Sequence, residues 1–226
     1  MLDNLEHLLA TTGREITLLS DILRHAPQVK LLVTSRQRLH LQGEWVFEIH
    51  GLPLPPAQEA SGFERYSAVN LFVQSARRVD SSFKLSLADR PAVARICQLV
   101  DGLPLGIELA AAWTHMLSCT EIAQEIERNL DFLAVTGPDL PERHRSLRAA
   151  FDHSWSLLSA EEQRVLSRLT VFRGGFSRDA AQQVTGANLA TLSALVDKSL
   201  LRRTGAGRYD LHELVWQYTA AHLQVE

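Results

Sequence analysis

Three residues of this chain have side chains that could hold a charged ligand, Asp3, Arg36 and His212, and a fourth feature is the corner at Gly102 and Pro104. Asp3 follows a short apolar start, and a carboxylate at the end of a strand can hold a divalent cation through water. Its plainer use is as the N-cap of the helix that follows. Arg36 closes the polar trio Thr34-Ser35-Arg36 after an apolar run. Its planar fork matches phosphate oxygens, and the alternative is a solvated surface arginine. His212 changes charge near neutral pH, so it can bond an anion and respond to its loss. The alternative is a satisfied histidine at a helix start. Gly102 and Pro104 sit in Asp101-Gly102-Leu103-Pro104-Leu105-Gly106, where Gly102 suits positive φ and Pro104 suits the first turn of a helix. That stretch predicts a sharp corner between two helices.

The elements that must position these residues change character along the chain. Met1 to Leu9 reads as the tail of a strand, an acidic turn and the start of a helix. Arg14 to His25 has Ile16, Leu19, Ile22 and Leu23 on one face, and Pro27 ends it. Val29 to Thr34 reads as a short apolar strand. Glu44 to Ile49 reads as another, with Trp45, Phe47 and Ile49 on one face. Strand, helix, strand in this order is a piece of a parallel α/β sheet, over residues 1–52. Leu52-Pro53-Leu54-Pro55-Pro56 is a linker.

Residues 57–137 then read as a four-helix bundle: Ser67 to Val79, Pro91 to Val100, the apolar run after Pro104, and about Glu121 to Leu130. Ser118 and Glu121 have capping-box spacing, as do Ser159 and Glu162 further along. A second linker runs from Gly137-Pro138 to Pro141. Residues 141–226 read as helices Leu147 to Leu157, Ala160 to Leu169, Arg178 to Val184 and Leu189 to Lys198. A hairpin around Thr204-Gly205-Ala206-Gly207 and a last helix from His212 to Leu223 follow. Helices followed by a two-stranded wing predict a winged-helix domain, so the whole fold is expected to be mainly α.

The chain has 226 residues, 46% of them hydrophobic and 22% charged, an ordinary globular composition. No apolar run approaches the ~18 residues of a membrane span. Cys97 and Cys119 both fall among apolar helical residues without Cys-x-x-Cys spacing, which predicts buried free thiols in a reducing cytoplasm. Residues 1–140 carry 12 basic and 17 acidic side chains, and residues 141–226 carry 11 and 9. Only Lys30, Lys84 and Lys198 are lysines.

Taken in order, these motifs resemble those of the STAND branch of the P-loop ATPases, the NB-ARC-like signalling ATPases, with the bacterial transcriptional regulators closest. Leu2-Asp3-Asn4 before Leu5-Glu6-His7 resembles the end of a Walker B strand, which implies a Mg²⁺ role for Asp3 and Asn4 beside it. Val33-Thr34-Ser35-Arg36 is similar to the sensor strand, whose arginine reaches the terminal phosphate. Gly102-Leu103-Pro104-Leu105 resembles the GLPL motif, whose proline packs on adenine. Leu211-His212-Glu213-Leu214 resembles the Met-His-Asp motif, whose histidine holds the ADP β-phosphate at rest. Arg145-Ser146-Leu147-Arg148 to Phe176 resembles the bacterial winged-helix opening. The resemblance implies that His212 faces the same cleft as Arg36 and Pro104. Against the plant-type pattern, Leu211 replaces methionine and Glu213 replaces aspartate. Asn4 stands where many members have a second acid, which leaves no hydrolytic base assigned.

Binding a triphosphate needs a Gly-rich loop ending in Gly-Lys-Ser/Thr, and no Gly-Lys occurs in this sequence. In the family that loop precedes Walker B. The resemblance therefore implies a truncated α/β remnant with half the pocket, inactive as an ATPase alone and completed by an N-terminal P-loop half. The leading expectation is a cytoplasmic regulatory module that ADP closes and ATP, with Mg²⁺, opens. One alternative is a winged-helix DNA-binding regulator using Arg143, Arg145, Arg148, Arg202, Arg203 and Arg208. Against it, Leu189 to Lys198 offers little to read base edges. Another is a stand-alone protein-interaction domain that forms oligomers through exposed strand edges. No membrane partner is expected.

Overall fold

Helical periodicity governs what this chain builds. The computed structural model describes residues 1–6, 14–56, 62–134, 146–204 and 207–223. The expectations placed on His7 to Leu9, on the linker from Gly137 to Pro141, and on Arg143, Arg145, Gly205 and Ala206 lie outside the described residues. Within them the fold is mainly α, with ten α-helices and one two-stranded sheet. No helix among the described residues is long and apolar enough to cross a membrane. The chain divides into two compact units, Met1–Glu48 with Ser154–Leu211, and Ile49–His153 with His212–Glu226.

In the first unit, α1 (Arg14–His25) turns Leu19 onto Leu5 and Leu39, and Leu31, Val33 and Leu41 pack around them. Beside this small core Leu2 forms a parallel bridge with Val33. The expected strand Val29 to Thr34 is reduced to that one bridge, because a ladder needs a longer neighbour than Leu2 provides. The expected strand Glu44 to Ile49 does not form. Glu44 instead accepts the amide hydrogens of Leu39 and Leu41 through its two carboxylate oxygens. Trp45 is 96% exposed and Phe47 89%, so the alternation read from the sequence has no sheet to lie on.

Further along the same unit come α7 (Ala160–Leu169), α8 (Arg178–Thr185) and α9 (Leu189–Asp197). Ser159 and Glu162 form the expected capping box at the start of α7. Ser177 and Asn188 cap α8 and α9 by accepting from the third residue on. Leu166, Leu169, Leu192 and Leu195 are buried between these helices, each worth about 1.5–3 kcal/mol relative to exposure. Lys198 Nζ reaches both Glu162 oxygens at 2.8 Å and the Leu157 carbonyl at 3.2 Å. The hairpin β1 (Arg202–Arg203) and β2 (Tyr209–Asp210) pairs Arg202 with Asp210 and Arg203 with Tyr209. Phe176 bridges to Tyr209 and stacks on Phe172.

The second unit holds α2 (Ser67–Val79), α3 (Arg90–Leu99), α4 (Pro104–Ala111) and α5 (Cys119–Arg128). Helix α2 packs on α4, and α3 on α5. Phe72, Ile96, Ile107, Ile122 and Ile126 fill the interior. The capping box of Ser118 with Glu121 is present. Helix α10 (Glu213–Ala220) belongs to this unit, as do the residues of α6 (Leu147–Ser156) up to His153. Tyr218 donates to Asp152 at 2.7 Å and Gln217 reaches the Ile126 and Glu127 carbonyls at 3.4 Å, which fixes α10 in place. Burial, together with Asp152, pushes the Tyr218 hydroxyl well above its ordinary value.

Candidate functional site

The residues singled out in the sequence fall into two groups, one in each unit. Asp3, Asn4 and Arg36 belong to the first; Gly102, Pro104 and His212 belong to the second.

In the first group the Leu2–Val33 bridge sets the geometry. Leu2 donates to Leu32 O at 2.9 Å, Thr34 to Leu2 O at 3.0 Å, and Leu5 to Thr34 O at 3.0 Å. This brings the Thr34 hydroxyl to both Asp3 and Asn4. It donates to the Asp3 carboxylate and accepts the Asn4 amide hydrogen at 3.1 Å. Asn4 has φ 55°, a left-handed conformation that asparagine tolerates better than most residues. The Asp3 side chain is exposed. Among the described residues no three His, Cys, Asp or Glu gather as a metal site.

Glu6 had no role in the sequence reading, yet its carboxylate is central here. It is 1% exposed, accepts the Arg36 amide hydrogen at 3.4 Å and lies 3.6 Å from Arg36 Nε. The signal was an acid directly after Leu5 and shortly before Leu8 and Leu9 in the sequence, which must be paired if it is buried. Arg36 Nη1 also donates to Ser154 Oγ at 2.7 Å.

In the second group the corner forms as the sequence predicts. Asp101 and Gly102 both take positive φ, 54° and 66°, and Leu103 is extended before Pro104 opens α4. Gly102 donates to Cys97 O and Leu103 to Val100 O, both at 2.9 Å. The segment Gly51-Leu52 lies against this turn, with Leu52 donating to Gly102 O at 2.8 Å. A Cβ on Gly102 would stand 2.3 Å from Leu52 O, and one on Gly51 would stand 1.9 Å from Asp101 O. Both positions are closed to larger residues.

His212 reaches the same turn. Its Nε2 is 4.0 Å from Asp101 Oδ2, and its side chain is only 13% exposed. Its Nδ1 accepts the Leu214 amide hydrogen at 3.2 Å, so it also caps α10. Pro104 is exposed three residues past Asp101. Glu213, in the position of the motif's acid, is exposed and accepts from Gln217 at 3.4 Å.

No family model matches the chain. Over 99% of its length it is 34% identical to an uncharacterized protein of Mycobacterium tuberculosis, of which it covers 56%. It is 33% identical, again over 99% of its length, to a protein of that organism provisionally named an HTH-type transcriptional regulator, of which it covers 25%. The chain thus spans about half, or a quarter, of the curated relatives it matches. Among solved structures it is similar to a STAND protein with a tetratricopeptide-repeat sensor from Pyrococcus horikoshii. There the identity is 16% and the TM-score 0.34, over 100% of this chain and 28% of that one.

Proposed function

We propose that this chain is the regulatory, ADP/ATP-binding part of a STAND or NB-ARC-like switch protein that works in the cytoplasm and serves transcriptional control. The observation that carries this reading is the meeting of His212 with the Asp101-Gly102 turn, two motifs far apart in sequence. A histidine delivered to a rigid Gly-Leu-Pro corner can report whether an anion is present, because its charge and hydrogen bonding respond to what it faces. The M. tuberculosis relative named as an HTH-type regulator supports the transcriptional setting.

The types of these residues suit a nucleotide with Mg²⁺. Asp3 would hold the cation beside Asn4, Arg36 would bond the terminal phosphate, Pro104 would pack on adenine above Gly102, and His212 would bond the ADP β-phosphate. Mg²⁺, when bound, neutralises phosphate charge. The Gly-Lys-Ser/Thr loop that this sequence lacks would come from an N-terminal segment of the same protein, and homo-oligomers would form on activation. Alone, the chain would bind nucleotide weakly and turn over no ATP.

The test is calorimetric binding of ADP and ATP to the complete protein and to its His212→Ala variant. One charge-assisted hydrogen bond corresponds to roughly a ten- to hundredfold change in affinity. ADP affinity should fall by that factor and ATP affinity much less. Equal losses for both nucleotides, or no binding of either to the complete protein, would overturn the reading.

A further inference from the structure

Three basic residues alternate along one short stretch, and all three are held by residues of the helical region that follows in the same unit. Arg36 donates to Ser154 Oγ at 2.7 Å, near the end of α6. Arg38 Nε lies 3.4 Å from Asp197 Oδ1, and His40 Nε2 lies 3.5 Å from Asp197 Oδ2, at the end of α9. Leu39, between the last two, points instead into the core with Leu5 and Leu19. Below these contacts is a pocket of about 460 Å³, with Gln37, Arg38 and His40 on one wall and Ser193, Asp197 and Lys198 on the other. Lys198 is matched by Glu162, Arg38 by Asp197 and Glu48, and His40 Nε2 faces the same Asp197 carboxylate. The pocket is therefore no anion site. It is a gap that the ion pairs span.

We propose that residues 36–40 form a two-armed clasp on the helical region, and that a phosphate-bearing ligand opens the Ser154 arm while the Asp197 arm stays shut. The second half of this statement rests on the nucleotide reading above; the first does not. The arms differ because their acceptors differ. Ser154 offers Arg36 a neutral hydroxyl, which a phosphate oxygen outcompetes as a charge-assisted acceptor. Asp197 offers a carboxylate shared by two basic side chains. Glu6 accepts from the Arg36 backbone and lies 3.6 Å from its Nε, so Nη1 can turn away from Ser154 while the main chain and Nε stay anchored.

Hydrogen–deuterium exchange tests each arm. In the 226-residue chain without nucleotide, Asp197→Asn should raise exchange in α9 about threefold, the worth of a partly exposed ion pair. Without a clasp the sign reverses, since removing a negative charge from a helix C-terminus stabilises the helix. Unchanged or slower exchange in α9 would therefore overturn the clasp. Arg38→Ala should reproduce the increase without touching α9 itself. In the complete protein, binding of a non-hydrolysable ATP analogue and of ADP is first measured by equilibrium dialysis. The bound triphosphate should raise exchange at residues 154–158 about threefold over bound ADP, and Ser154→Ala should erase that difference. A triphosphate that binds yet leaves 154–158 as ADP does would refute the Ser154 arm alone. If neither nucleotide binds, the nucleotide reading falls and takes the Ser154 arm with it; the Asp197 arm is judged by its own variants.

Discussion

His212 stands between a helix and a turn: its Nε2 is 4.0 Å from Asp101 Oδ2, while its Nδ1 accepts the Leu214 amide hydrogen at 3.2 Å. The second contact fixes the tautomer, placing the ring proton of the neutral imidazole on Nε2, toward Asp101. Capping and anion sensing can then be separated by substitution. His212→Ala should cost about 1 kcal/mol of stability through loss of the cap, whereas His212→Asn should restore most of it, because asparagine is among the best N-caps. On the proposed nucleotide reading, both should lose the preference for ADP. An asparagine variant with the full ADP preference would show that the imidazole is not the sensing group. Urea denaturation and ligand titration on the same samples decide the matter.

The corner at Gly102 should tolerate no side chain. Gly102→Ala adds a close approach to Leu52 O to a strained φ, whereas Gly43→Ala, at φ 82°, meets nothing within 4 Å. Gly43→Ala should cost about 1 kcal/mol, and Gly102→Ala about 1–3 kcal/mol more. Equal losses in denaturant titrations would mean that Leu52 yields freely and that the turn is not rigid.

Lys198 and Glu162 link the end of α9 to the start of α7. Burial pushes the Glu162 carboxyl up, but the Lys198 ammonium and the Ser159 backbone amide hold it below its ordinary value of 4.5. A depressed carboxyl stabilises the fold fully above its unfolded pKa, and that contribution disappears as pH falls through the folded value. Lys198→Met should cost about 3 kcal/mol at neutral pH, since it strands a nearly buried carboxylate. The gap from wild type should narrow as pH is lowered below 4.5. A gap that does not depend on pH would assign the loss to packing.

Cys97 and Cys119 should resist thiol reagents in the folded state. Burial pushes the Cys97 thiol up to about 12, and burial with the nearby Asp89 charge pushes Cys119 to about 11. Labelling at pH 8 should be slow until denaturant is added, then proceed at both sites. Fast labelling of either native cysteine would contradict its burial.

DNA binding through the wing should be weak and readily salted out. The outward residues of α9 include Leu189, Ala190 and Ser193, which offer little to base edges. A sequence-specific complex at roughly nanomolar concentration and physiological salt, lost in Arg202→Glu/Arg203→Glu, would reverse this expectation.

Much of the helical architecture was legible in the sequence because its signals are local. Arg14–His25 and Ser67–Val79 begin and end where periodicity and breakers put them, and both Ser-x-x-Glu boxes cap the helices they precede. The positive φ at Gly102 followed from its place between two helices. Glu44 to Ile49 misled because alternation reports a pattern of faces and says nothing of whether a neighbouring strand is there to pair with. The ion pairs of Glu6 with Arg36, and of Arg38 and His40 with Asp197, were invisible for a related reason. Each joins segments separated by tens to more than a hundred residues, and no local rule selects one carboxylate from 26 acidic residues.

The bare aromatic at Trp45 also gives this chain a built-in optical probe. Of its four tryptophans, Trp45 is 96% exposed, whereas Trp113 stacks on Phe132 and Trp155 and Trp216 are half-buried. Iodide should quench one red-shifted component of the emission and largely spare the rest. Anything that covers residues 45–47, whether another segment of the same protein or a second copy, would shift that component to the blue and shield it from the quencher. Association at this edge can thus be followed in a cuvette, without labels.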